Sequence, residues 1–397
     1  MKQFISVEEV LSILKMHSPL LQTRRLPLDQ CLGRKLSNDI HAKVTRPPAN
    51  VSAMDGYAVR LNDVATSGAA LTVIGEAAAG NPFGGQLQAG EAVRIFTGAE
   101  VPRGADHVVV QEVTRRDGDG VTIDEAYAKA ANIRKAGIDF TVDDLLVPAG
   151  AFIGPAELSL AAAANHKDLP VFKRPKVALL ANGDELKPPG SSLGRGEIIN
   201  SNPAALGALI TQWGGEPVDL GIAPDSIEAI QAYIQKASTA DIIVPIGGAS
   251  VGDHDHMRAA FKGLSFETIF EKVAIKPGKP TWFAKKDAQC VLGLPGNPAS
   301  ALVCAHIFLR QLINPDRQHI WQKAKLGTKL KGNGPRTSFL RAYVEGNQKG
   351  ELIVTPMANQ DSSLLTPFLK TNAFIRLAPN QAALEKDAIV SILHLPL

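Results

Sequence analysis

The chain has 397 residues, 45% hydrophobic and 20% charged, so it exceeds the roughly 250–300 residues at which one core stops growing; several domains are expected and disorder is excluded. Its 42 basic residues against 39 acidic ones leave a net charge of +3 with no block of one sign, which argues against nucleic acid as a partner. No window reaches ~18 uninterrupted apolar residues, and the opening "MKQFISVEEVLSILKM" carries acids and lysine inside its apolar stretch, so no membrane span or signal peptide is expected and a cytoplasmic protein fits.

In chain order, Ser6 with Glu9 forms a capping box ahead of Val7, Val10, Leu11 and Leu14, which share one helical face. From about Pro47 to Asp144 the texture turns to short β-prone runs ("LTVIGEA", "AVRIFTG", "HVVVQEV", "GVTID") punctuated by Gly, Pro and Asp. "GPAELSLAAAANHKD" then returns to helix with Pro155 in its first turn, as if a β domain were inserted into a helical one. The expected boundaries are residues 1–46 with 145–172 for the discontinuous helical domain and 47–144 for the insertion. Between Lys176 and about Asn314, "KVALLA", a helix around 203–213, "PVDLGI", a helix over 226–238, "DIIVPIGG", "QCVLGLPG" and the helix "ASALVCAHIFLRQLI" alternate. That order predicts an α/β domain over 173–320 with a mainly parallel sheet covered on both faces. After Pro315, "TSFLRAYVEG", "GELIVTP", "AFIRLAP" and "AIVSILHL" predict a small β domain over 321–397. Cys31, Cys290 and Cys304 form no CxxC and are expected as small buried hydrophobes.

Ligands of open α/β sheets bind outside the carboxyl ends of the strands, and four loops leave strands there. "LLANGDEL" brings Gly183, Asp184 and Glu185; "LGIAPDS" brings Asp225; "PIGGASVGDHD" brings Gly247, Gly248, Ser250, Gly252 and Asp255; "LGLPGNPAS" brings Pro295, Gly296, Asn297 and Pro298. Glycines let backbone N–H groups approach an anion, and a following helix adds the positive end of its dipole. Carboxylates beside such a cradle would repel the anion unless a cation intervened, and Mg²⁺ bridges carboxylates to phosphates, so a phosphorylated ligand with Mg²⁺ is expected. "DHDH" lacks a third ligand at a zinc spacing, and His254 and His256 are expected as surface groups or supports behind the site. "KVAIKPGKP" sets Lys272, Lys276 and Lys279 close to the acidic loop in sequence, where compact charges suit an oxyanion. "SAMDGYAV" and "RIFTGAEVP", taken alone, would pass as turns.

Together, "AMDGYAV", "FTGAEVP", "NGDEL", "GGASVGDHD", "AIKPGKP" and "GLPGNP", in this order, resemble the molybdopterin molybdenumtransferase family, which includes the E domain of gephyrin. The resemblance covers essentially the whole chain. It implies four parts (an elongated helical segment, an inserted β domain, an α/β molybdopterin-binding domain and a C-terminal β domain) assembled as a homodimer. It also implies a reaction: adenylylated molybdopterin and molybdate are converted with Mg²⁺ present, the pyrophosphate is cleaved, AMP leaves and molybdenum stays on the dithiolene. Implied partners are a molybdopterin adenylyltransferase and apo-molybdoenzymes. Carried over by motif, Asp55, Thr97, Glu185, Asp225, Asp255, Lys272 and Lys276 match catalytic positions, with Glu185 and Asp255 at the cation and the lysines at molybdate or phosphate charge. Asp139, Gly247, Gly248, Ser250, Gly252 and the turn Pro295, Gly296, Asn297 and Pro298 match substrate-binding positions. Asp55 and Thr97 are implied to serve the site of the twofold partner. The chain departs from the common pattern at Asn182, where relatives often carry Thr, at Gly137 and Ile138 before Asp139, where they read "GED", and at His256, often Tyr. A molybdopterin adenylyltransferase, which resembles the α/β domain alone, and a scaffold that has lost turnover are the competing readings.

Overall fold

The computed structural model describes residues 4–247, 256–316 and 319–395. The chain separates into two compact units, Thr23–Phe172 and a discontinuous one formed by Met1–Gln22 with Lys173–Leu397.

Thr23–Phe172 is closed by an antiparallel pair of its terminal strands, Thr23–Pro27 and Asp168–Phe172. Beside them the helix Pro155–Ala163 starts on Pro155, and Glu157 Oε2 accepts from the Gly154 N–H at 2.8 Å, so its first turn is satisfied from within. Leu36, Ile40, Ile153, Ala161 and Val171 form the core there. Besides the short antiparallel pairs Ile40–His41 with Leu145–Val147 and Val51–Ser52 with Ile133–Arg134, the unit holds a six-stranded sheet in the order His107–Val110, Gly56–Val59, Glu91–Ile95, Ala69–Ala77, Gly120–Ile123, Thr114–Asp117. Period-two alternation sends Tyr57, Val59, Ala92 and Val109 to one core and Ala58, Val93, Ile95 and Val108 to the other. The β-rich texture read between Pro47 and Asp144 is this sheet.

The second unit opens with the helix Val7–Met16, whose cap Ser6 accepts from the Glu9 N–H at 3.1 Å and whose Val7, Val10, Ile13 and Leu14 are buried. Its α/β sheet runs Glu216–Ala223, Lys176–Asn182, Ile242–Ile246, Gln289–Gly293, Trp282–Lys286, Glu267–Phe270. The first four strands run parallel, Trp282–Lys286 runs against them, and Glu267–Phe270, antiparallel to it, runs with the first four. Val177, Leu179, Ile242 and Val244 face a core with Leu206 and Ile210 of helix Asn202–Gln212, while Ala178, Leu180 and Ile243 face Ile230 and Ile234 of helix Ile227–Lys236. Burial on both faces explains why these strands read as continuous apolar runs. The C-terminal strands Thr337–Gly346, Leu352–Pro356, Trp321–Leu326, Ile389–His394 and Ala373–Leu377 pair in that order, and the last returns to the first, closing a small barrel around Leu326, Ala342, Val354, Ile375 and Ile392. Among the described residues no helix is long and apolar enough to cross a membrane.

Candidate functional site

Strand Lys176–Asn182 is followed by a helix on one face of the sheet and a strand on one side; the next helix covers the other face and the next strand, Ile242–Ile246, lies on the other side. The winding reverses between these two parallel strands, so a crevice must open at their carboxyl ends, Asn182 and Ile246. A cleft of about 610 Å³ lies there, lined by Asn182, Glu185, Ile246, Gly247, Pro295, Gly296, Asn297, Pro298 and residues 198–202. The sequence-predicted Glu185, Gly247 and the turn from Pro295 to Pro298 are thus brought together.

Local chemistry explains the motif. Gly247 adopts φ +88°, and a Cβ on Gly296 would stand 3.4 Å from the Gly247 Cα, so two strand ends meet with bare backbone between them. Asn202 Nδ2 donates to the Gly296 carbonyl at 2.8 Å and fixes that turn. Pro298 begins a helix, Pro298–Cys304, that continues through the π-helical Ala305–Leu309 and Arg310–Ile313, so its positive end faces the cleft. Asn297 Nδ2 donates to Ser362 Oγ at 3.1 Å, tying the turn to the segment after the barrel strand Leu352–Pro356.

Behind this wall lies a polar cluster. Asn182 Nδ2 donates to Asp225 Oδ1 at 3.0 Å, His256 Nδ1 lies 3.2 Å from the same oxygen, and the Asp225 N–H donates to Asp184 Oδ1 at 3.3 Å. His256 therefore buttresses a predicted catalytic carboxylate. Gly183 adopts φ +140°, where a side chain is strained, and a Cβ there would also push the Glu185 carboxylate aside, its Oε2 lying 2.4 Å away.

A second cleft of about 410 Å³ is lined by Lys276, Lys279, Ser300, Arg336, Arg341 and Ser362 among others, and Pro280 lines both clefts. Strand Ile275–Lys276 pairs in parallel with Thr337 and Ser338 of the barrel, which fixes Lys276 at its mouth. Arg341 is buried and donates to the carbonyls of Leu364, Asn359 and Asp361, so it shapes the segment carrying Ser362, and burial lowers its pKa. Lys272 lines neither cleft; its carbonyl accepts from the Ile5 N–H at 3.1 Å. Ser300, Arg336 and Ser362 were not legible in advance, since no local motif marks them.

In the unit Thr23–Phe172, Asp55 Oδ1 accepts from the Thr97 N–H at 2.7 Å and from its hydroxyl at 2.8 Å. These bonds, the backbone one foremost, hold the Asp55 carboxyl below the usual aspartate range. The neighbouring Gly56 has no alternative, because a Cβ would sit 1.8 Å from the Val109 carbonyl oxygen. The two motifs that would pass as separate turns are therefore one structure. Asp139 lies elsewhere in this unit, on an exposed loop, 3.5 Å from Arg46 Nε. Gly248, Ser250, Gly252, His254 and Asp255 lie outside the described residues.

Residues 5–165 match the MoeA N-terminal region (domain I and II), residues 178–315 a probable molybdopterin binding domain, and residues 323–395 the MoeA C-terminal region (domain IV). The chain is 36% identical to a molybdopterin molybdenumtransferase of Haemophilus influenzae over 94% of its own length and 93% of the relative's, and 31% identical to that of Bacillus subtilis over 94% and 90%. A crystal structure of the molybdopterin biosynthesis moea protein from Pyrococcus horikosii superposes with a TM-score of 0.86 at 29% identity, covering 99% of this chain and 100% of that one.

Proposed function

The chain belongs to the molybdopterin molybdenumtransferase family, and so to molybdenum cofactor biosynthesis, and on that premise we propose that it takes adenylylated molybdopterin and molybdate, cleaves the pyrophosphate, releases AMP and leaves molybdenum on the dithiolene. The observation that carries this reading is the cleft at the sheet's reversal point, where glycine backbone and a helix amino end face the Glu185 wall. Lys276 in the adjoining cleft supplies compact positive charge to molybdate or phosphate, and Arg336 adds a planar donor fork beside it. Glu185 and Asp255 would hold Mg²⁺; the bare Gly183 backbone leaves the Glu185 carboxylate room at the cleft wall, which fits a hard-oxygen ligand. When bound, that ion neutralises substrate phosphate charge. The enzyme acts in the cytoplasm, with an adenylyltransferase supplying its substrate and apo-molybdoenzymes taking its product.

The test is to incubate pure protein with adenylylated molybdopterin and molybdate and follow AMP. Release of AMP is expected; an adenylyltransferase would instead consume ATP, and a scaffold would release nothing. The proposal extends to a homodimer whose sites are completed by the partner, with Asp55 and Thr97 serving the other subunit's Asp255 and Lys276. Inactive Asp55→Asn and Asp255→Asn chains are unfolded, mixed equally and refolded. Random pairing makes about half the dimers mixed, each with one intact site, so about a quarter of wild-type activity should return. A mixture as inactive as its parents rejects the shared site.

A further inference from the structure

Asn182 ends the strand at which the winding reverses, lines the larger cleft, and is only 6% exposed. The orientation of its amide is fixed by chemistry: Asp225 Oδ1, 3.0 Å away, is a carboxylate oxygen, and a carboxylate accepts only, so the group facing it is the NH₂. The other end, Asn182 Oδ1, is buried and has no hydrogen-bond partner among the described residues. Buried acceptors in folded proteins are paired with few exceptions, and an orphan on a cleft wall is completed by whatever the cleft binds.

We infer that Asn182 is a two-armed positioning and specificity residue: its NH₂ holds Asp225 in place together with His256, and its carbonyl oxygen accepts a hydrogen bond from an N–H or O–H of the bound substrate. The inference rests on the reading of this cleft as the substrate site. Fully ionised phosphate oxygens cannot complete Oδ1, because both would be acceptors, so the pyrophosphate lies away from Asn182 and a neutral donor lies against it. Two parts of the substrate carry such donors. They are the amino and ring N–H groups of the pterin, and the ribose hydroxyls and adenine amino group of the adenylyl half.

Titration calorimetry with adenylylated molybdopterin, molybdopterin and AMP separates them. Asn182→Thr retains a hydroxyl that both donates and accepts, whereas Asn182→Val is nearly the same shape as Thr and does neither. Thr is expected to keep the affinity for adenylylated molybdopterin within about fivefold, and Val to weaken it about 10- to 100-fold, the range for a buried polar partner left unpaired. Whichever of molybdopterin and AMP suffers the same loss carries the donor. A purely structural role is distinguished in an Asp225→Ala background, where Asn182 has no carboxylate to hold. There, Asn182→Val should still weaken binding at least about fivefold, and no further loss would overturn the substrate contact. Equal binding of all three ligands by wild type and Val would overturn it too. Thermal melts verify folding, and Asn182→Ala gives a second variant without hydrogen-bonding groups should Val not fold. Wild-type protein that binds none of the three ligands would reject the reading of the cleft itself, a result distinct from loss in the variant alone.

Discussion

Lys276 and Asp55 show how a residue's immediate partners decide what its replacement does. Lys276 is exposed at the mouth of the smaller cleft, so Lys276→Gln should weaken AMP release at subsaturating molybdate while leaving stability within about 0.5 kcal/mol, the usual range for a surface change. Normal turnover in that assay would make the lysine a solvated charge. Asp55 is held ionised by Thr97, its folded pKa lying below the value for a free aspartate. The stabilisation from this pair is therefore complete above the unfolded pKa and fades as pH falls through the folded one. In Thr97→Val the carboxyl resonance of Asp55 should titrate at higher pH than in wild type; an unchanged NMR midpoint would show that the hydroxyl contributes nothing. At this scale the residues alone pointed to Glu185, in a loop leaving a strand end, whereas Asp55 and Thr97, in motifs that alone pass as turns, were singled out only by the family resemblance. The sequence could not tell which lysines of "KVAIKPGKP" face a cleft, because that depends on distant partners: Lys276 lies on a strand paired with the barrel, while the Lys272 carbonyl accepts from Ile5.

The elements explain one further motif residue. Gly278 adopts φ +111°, and a Cβ on it would stand 2.1 Å from Cys304 Sγ, so the lysine-bearing loop packs directly on the helix that begins at Pro298. Gly278→Ala should cost about 2–4 kcal/mol through overpacking and left-handed strain. Adding Cys304→Ala should recover part of that in denaturant unfolding, since it removes the clash and leaves the strain; no recovery would mean the backbone angle alone decides. Most elements of the α/β domain were legible because strands buried on two faces and amphipathic helices leave different periods. The antiparallel strands Glu267–Phe270 and Trp282–Lys286 were not. The second turns into Gln289–Gly293 through only Asp287 and Ala288, with Asp287 at φ +51°, and this pair lacks the glycine that ordinarily marks so tight a hairpin.

On the scale of the whole molecule, acid stability should be set in part by His306, buried between Trp213 and Phe374, one from the α/β domain and one from the barrel. Burial first, then the charges of Arg310 and His319, push its pKa down to about 3. Because that lies below the unfolded value of 6.5, the unfolded chain takes the proton first. The contribution to stability is whole above about pH 6.5 and is lost as pH falls from there toward about 3, at roughly 1.4 kcal/mol per pH unit for one group. Urea midpoints should drop between pH 6.5 and 4, and His306→Phe, which keeps an aromatic ring in the gap, should flatten that drop; an unaltered slope would clear His306 of the effect. The division into units was less legible than the elements, because it depends on which distant segments touch. Ile5 accepts from the Ala274 N–H at 2.8 Å and donates to Lys272 at 3.1 Å, so the first residues complete a structure whose other half is encoded far downstream. The chain leaves that structure at Gln22, builds Thr23–Phe172, and returns at Lys173, whose N–H donates to the Gln22 carbonyl at 2.8 Å. During synthesis at roughly 5–20 residues per second, the helix Val7–Met16 emerges on the order of 10–50 s before the strand partner of Ile5. Its apolar face, whose partners all lie at Val177 or beyond, stays uncovered during that interval and is open to non-native contacts until they arrive.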